Sequence, residues 1–76
     1  MQPLTERPRR ESARAAARKA VRRGNLKRQP CQRCQQPRSE MHHPDYSLPL
    51  YVVWLCRHCH RRLHQIKLPV EVFLMV

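Results

Sequence analysis

The chain has 76 residues, 41% of them hydrophobic but only 5% aromatic, so it is one small domain with little material for a core and needs some staple beyond apolar burial. Sixteen Lys and Arg against five Asp and Glu give a net charge of +11 with His neutral, which points to a polyanionic partner. No apolar run approaches the roughly 18 residues of a membrane span, and no apolar leader stands at the N-terminus, so the expectation is a soluble protein of a reducing cytoplasm with no membrane partner.

The charge is concentrated at the start. Residues 1–30 hold ten basic and two acidic side chains; the remainder holds six and three. Residues 1–7 read as disordered. From Ser12 to Arg23 the composition is that of a helix, rich in Ala, Arg and Lys. Ala13, Ala16, Ala17, Ala20 and Val21 recur at the spacing of one helical face. Pro8 allows a start near Arg9, with Ser12 as the other candidate cap. Gly24 stops the helix as the residue past its end, with Leu26 closing over the last turn. The remaining faces carry Arg14, Arg18 and Arg22 at i, i+4, i+8, with Lys19 and Arg23 beside them. Like charges at that spacing cost a few tenths of a kcal/mol per pair in an isolated helix, a repulsion that a polyanion relieves. Together with Lys27 and Arg28 of the following linker, these side chains are the candidate contacts to DNA or RNA.

Cys31-Gln32-Arg33-Cys34 predicts a tight knuckle. The residue after the second Cys of such a knuckle commonly takes positive φ, where Gly is favoured; here it is Gln35. Glu40 to His43 reads as a short strand ended by Pro44. Pro44-Asp45-Tyr46-Ser47 has turn composition. Leu50 to Leu55 is the strongest strand signal, β-branched and aromatic. Arg57 to Lys67 turns helical, with Cys59, Leu63 and Ile66 on one face and Pro69 as the stop. In the tail, Val70, Val72, Leu74 and Val76 alternate, which predicts a strand that either adds core or docks on a second copy or another protein.

The four cysteines, Cys31, Cys34, Cys56 and Cys59, form two C-x-x-C pairs separated by 21 residues. In a reducing compartment that pattern is a tetrahedral zinc site rather than a pair of disulfides, and the metal supplies the missing staple. Knuckle, hairpin and a helix carrying the second ligand pair make a treble-clef plan. The fold class expected is therefore a small α+β zinc domain: a basic helical arm over 1–30, a zinc-binding body over 31–67 and an apolar tail over 68–76.

Five histidines remain, four of them in two pairs. His42 and His43 end a strand. His60 and His64 are four apart on a helix and share a face, with His58 off that face. Such a set can hold a divalent cation and leave one imidazole as a base, the parts that phosphodiester hydrolysis requires.

The run C-x-x-C, then His42-His43-Pro44-Asp45-Tyr46, then Pro49, then Trp54-Leu55-Cys56-Arg57-His58-Cys59-His60 and His64 resembles the zinc-bearing branch of the HNH, or ββα-metal, family, most of all its short phage-borne members. The resemblance covers roughly residues 30–65. It implies that His42, His60 and His64 bind a catalytic divalent metal (Mg, Mn, Ni or Zn) and that His43 is the general base. Tyr51 stands where the family's Asn braces the base, and it cannot make the same two-sided amide contact. The stretch between the His pair and this position is also short. The expected function is a zinc-stabilised nucleic-acid-binding protein of HNH-like fold, acting alone or within a nucleoprotein machine. The alternatives are a metal-dependent HNH endonuclease or nickase, and a phage regulator of host RNA polymerase or ribosome.

Overall fold

A computed structural model describes residues 3–75. The elements in chain order are α1 (Pro3–Arg22), β1 (Glu40–His42), β2 (Val53–Leu55), α2 (Arg57–Ile66) and α3 (Val70–Met75). The architecture is α+β. Two units interleave along the chain: residues up to Lys27 join His43–Val52 in the first, and Arg28–His42 joins Val53–Val76 in the second.

In the first unit, α1 runs past the start expected from Pro8 and begins at Pro3. Proline costs one backbone hydrogen bond inside a helix, but good helix formers lie on both sides of it. Ser12 is thereby an interior helix residue rather than a cap. Of the expected disordered stretch, residues 1 and 2 lie outside the described residues; from Pro3 onward the backbone is helical. Ala13, Ala17 and Ala20 are buried, the face expected from their spacing. Gly24 ends the helix at φ +81°. Its N–H donates to the Val21 carbonyl and that of Asn25 to the Ala20 carbonyl, the paired bonds of a Schellman cap. The Leu26 N–H also reaches the Ala20 carbonyl, at 3.2 Å.

The segment His43–Val52 of the same unit is a turn-rich loop. The Asp45 carboxylate accepts from the Ser47 N–H at 2.9 Å and the Ser47 hydroxyl at 2.6 Å, an Asx turn. Those two bonds, with Arg9 adding to them, hold the Asp45 carboxyl below its ordinary value. Leu50 and Tyr51, expected to open the second strand, are exposed loop residues; only Val53–Leu55 pairs.

The second unit is built around a short antiparallel ladder, Glu40 opposite Leu55, Met41 opposite Trp54 and His42 opposite Val53. The knuckle is stitched to β2 by Gln32, whose N–H donates to the Trp54 carbonyl and whose side-chain oxygen accepts from the Trp54 N–H, each at 2.8 Å. Gln35 takes φ 68°, the left-handed conformation expected of that position. Cys56 caps α2, its sulfur accepting from the Cys59 N–H, and Lys67 ends it in the left-handed region. Ile66, expected on the buried face with Cys59 and Leu63, is exposed.

The tail is helical and not the strand that its alternation predicted. Val70, Phe73 and Leu74 also satisfy the i, i+3, i+4 spacing, and short apolar runs fit both periods. As a helix, the tail puts Val70 and Phe73 into one core with Cys31, Val53, Leu55, Cys56, Cys59 and Leu63, with Leu74 packed against it. A strand of alternating residues would have divided Val70 and Phe73 between opposite faces. Val76 lies outside the described residues.

Candidate metal centres and basic surfaces

The second unit assembles two ligand clusters from overlapping elements. The first joins the knuckle to the start of α2. The Sγ atoms of Cys31, Cys34, Cys56 and Cys59 all lie within 4.8 Å of one another, and those of Cys34 and Cys56 are 3.6 Å apart. A tetrahedral centre with metal–sulfur bonds of about 2.3 Å places its sulfurs about 3.8 Å apart, so the four cysteines are positioned to hold one metal ion. A disulfide requires sulfurs about 2.05 Å apart; all four cysteines are free thiols. Cys31, Cys56 and Cys59 are buried, and Cys34 is exposed.

The thiols differ sharply in acidity. Burial pushes Cys31 up, but the backbone N–H groups of Cys56, Cys34 and Arg33 outweigh it and bring the thiol from 9.0 down to about 6. Cys59 is pushed up to about 12, first by burial and then by the sulfurs of Cys56, Cys31 and Cys34, against the opposing Arg33 guanidinium. Cys34 accepts from the Gln36 backbone, which lowers it, yet desolvation and the sulfurs of Cys31 and Cys56 leave it raised. Sulfurs this close resist ionising together unless a cation sits among them.

The second cluster is made by β1 and α2. One ring nitrogen each of His42, His60 and His64 lies within 4.8 Å of the others. His42 Nδ1 and His60 Nε2 are 3.2 Å apart, matching the roughly 3.3 Å between nitrogens on a tetrahedral ion at 2.0–2.1 Å. The three rings stand 5.1 to 5.6 Å apart by centroid. His60 Nδ1 donates to the Glu40 carboxylate at 2.9 Å, which in neutral imidazole leaves Nε2 with its lone pair facing the cluster. Carboxylate support of this kind fixes the tautomer of metal-binding histidines and raises their basicity. Unlike Cys31, Cys56 and Cys59, these imidazoles are half-buried or exposed.

His43 belongs to the first unit. It is only 6% exposed. Its Nε2 lies 2.9 Å from the Pro49 carbonyl, an acceptor, so Nε2 donates, which in neutral imidazole leaves the lone pair on Nδ1. Its ring stacks on Tyr46 at 5.6 Å. The Pro49 carbonyl thus holds this imidazole in place. The Tyr51 side chain is exposed, and its backbone N–H donates to the Leu48 carbonyl.

Arg14, Arg18, Lys19, Arg22 and Arg23, as well as Lys27, are all exposed. Arg28, grouped with them by the sequence, belongs to the second unit and has contacts of its own. It donates to the Ser39 carbonyl at 2.8 Å and lies over the Trp54 ring at 5.3 Å. His58 is exposed, off the ligand face as expected.

Three contributors were not legible as site residues. Glu40 stands two residues before His42 on a strand, hence on the same face; that spacing was the available signal. Arg33 sits inside the knuckle, its guanidinium 3.8 Å from the Cys59 sulfur and 4.3 Å over the Phe73 ring, and it donates to the Phe73 carbonyl. Nothing local to Arg33 announces a contact 40 residues away. The Pro49 carbonyl, a backbone group, leaves no trace in side-chain chemistry.

Compared with family models, curated proteins and solved structures, the chain matches none. Among the described residues, no helix is long and apolar enough to cross a membrane.

Proposed function

We propose that this protein is a zinc-stabilised nucleic-acid-binding domain of the treble-clef, HNH-like kind. The observation that carries the reading is the division of α1 into a buried face of Ala13, Ala17 and Ala20 and exposed faces bearing Arg14, Arg18, Lys19 and Arg22. Among the described residues the one ion pair is His60 with Glu40, so this basic charge has no carboxylate partner and is suited to phosphates. Zinc is the metal proposed for the four thiolates, because soft sulfur ligands in a tetrahedral set suit it. Binding of duplex DNA and of RNA, measured by fluorescence anisotropy across salt, tests the reading. Replacing Arg14, Arg18 and Arg22 by Gln is expected to flatten the salt dependence on duplex DNA by roughly 0.9 log units per lost phosphate contact. Unchanged slope and affinity would rule α1 out as the binding surface.

A second reading, a metal-dependent endonuclease or nickase, is favoured by the imidazole cluster, which a passive binding domain has no use for. In that reading His42, His60 and His64 hold a divalent ion that supplies charge stabilisation at a phosphoryl group. The resemblance assigns the base to His43, whose Nδ1 lone pair is set by the Pro49 carbonyl. Imidazole ligands favour Mn, Ni or Zn over Mg. Nicking of plasmid with those ions, lost in His43→Ala, would support it; absence of cleavage with every metal would leave the binding domain alone.

A further inference from the structure

The first unit's helix is the basic surface that the sequence announces, but the second unit carries another that it does not. A cleft of about 500 Å³ is lined by Arg28, Pro37, Arg38, Ser39, Glu40 and Arg57. Three arginines thus line one cleft with a single acidic residue, whose carboxylate is engaged by His60 at 2.9 Å. The wall is pre-organised. Arg28 is held by the Ser39 carbonyl and the Trp54 ring, and the Ser39 hydroxyl donates to the Gln29 carbonyl. The guanidiniums of Arg38 and Arg57 make no hydrogen bond or ion pair with the described residues, and both residues are exposed and line the cleft. A smaller depression of about 200 Å³, lined by Glu40, Arg57, His60, Arg61 and His64, shares Glu40 and Arg57 with the cleft. The two make one strip from the arginines to the imidazole cluster.

We propose that this cleft binds the phosphodiester backbone of a nucleic-acid strand through Arg38 and Arg57, with Arg28 fixed beside them, and so sets the register of the strand along the His42, His60, His64 cluster. The planar forks of arginine match phosphate oxygens two at a time. The cleft volume falls in the range of ligand sites that take a whole nucleotide-sized group, more than a lone inorganic phosphate fills. The inference rests on the nucleic-acid reading and deepens it: α1 supplies general attraction, whereas the cleft places a particular phosphate beside the imidazoles.

The test uses the full-length, metal-loaded chain and a fluorescent oligothymidylate, with anisotropy read over a range of salt. Arg38→Gln combined with Arg57→Gln removes two guanidiniums that hold nothing in the fold; far-UV circular dichroism and metal content confirm that the variant is intact. The log–log salt slope is expected to fall by about 1.4 if each arginine serves one phosphate, at about 0.7 per contact on a single strand. The same fall is expected in a chain already carrying Gln at Arg14, Arg18 and Arg22. Wild-type binding with slope and affinity unchanged by the cleft substitutions in both backgrounds overturns the cleft and leaves the function proposed above standing. A parallel titration with inorganic phosphate, followed by NMR at the arginine Nε–H groups, separates the source of the phosphate. Shifts at Arg38 and Arg57 without oligothymidylate binding would overturn the strand assignment, and so would no response to either probe; the nucleic-acid reading itself stands or falls on the duplex DNA and RNA titrations.

Discussion

The two ligand clusters of the second unit draw on the same helix yet sit in opposite surroundings. Cys31, Cys56 and Cys59 are buried in the core with Leu55, Leu63 and Phe73, whereas His42 and His60 are half-buried and His64 is exposed. The turn of α2 accounts for this. Cys56 and Cys59 cap and open the helix on its inner side, while His60 and His64 lie on the side that closes over β1. A four-thiolate centre with three of its ligands in the core is coordinatively closed and serves the fold; a three-imidazole centre at the surface keeps a position for water or substrate. The difference teaches that metal-ligand spacing alone does not tell a staple from a reactive site. Burial does.

The largest expected effect falls on the closed centre. Cys56→Ser removes a thiolate and the sulfur that caps α2, and it is expected to unfold the second unit, because zinc binding contributes on the order of 10 kcal/mol to folding in such sites. Loss of far-UV ellipticity on substitution or chelation checks this. His64→Ala is expected to leave the ellipticity intact and to abolish the second metal equivalent in isothermal titration. Unfolding by His64→Ala would erase the distinction between the two centres.

Glu40→Gln sharpens the contrast further. It keeps the shape at His60 and removes the carboxylate, and the second metal should bind 10–100-fold more weakly, with the thiolate centre untouched. A next, smaller effect is the pH dependence of the thiolate centre. Cys59 near 12 must release its proton to the metal at neutral pH, whereas Cys31 near 6 is largely ionised already. Because the metal-free second unit is expected to be unfolded, chelator-competition measurements should show metal affinity falling as pH drops below the ordinary thiol value of 9.0, where the released thiols take up protons.

The smallest effect belongs to the loop. Asp45 is lowered by its Ser47 bonds, so its contribution is present above 3.8 and lost as pH falls through the lowered value. NMR titration of the Ser47 amide should follow that ionisation, and Asp45→Asn should remove the pH response while leaving both metal centres loaded.

The knuckle, the capped end of α1 at Gly24, the two strands and α2 were legible because each has a local cause: C-x-x-C spacing, a glycine in the left-handed region, β-branched residues, a helical face. The helical period put His60 and His64 on one face; that His42 rather than His43 joins them was what the family resemblance implied, and the structure brings the three together. The tail was not legible, because its seven residues satisfy both periods and only the core around Phe73 decides between them. Nor was the start of α1, since Pro8 signals a boundary that the neighbouring helix formers override. The Arg38 and Arg57 cleft escaped notice because its walls come from residues 19 apart in the chain, joined only once β1 meets α2.

Titration of the metal-free chain with Co²⁺ tests the division into a closed and an open centre most directly. The first equivalent is expected to give intense thiolate-to-cobalt charge-transfer absorption and restore the fold; a second, lacking that band, is expected to be lost in His64→Ala and to exchange readily with added chelator. A single equivalent, or a thiolate band that weakens in His64→Ala, would contradict the account.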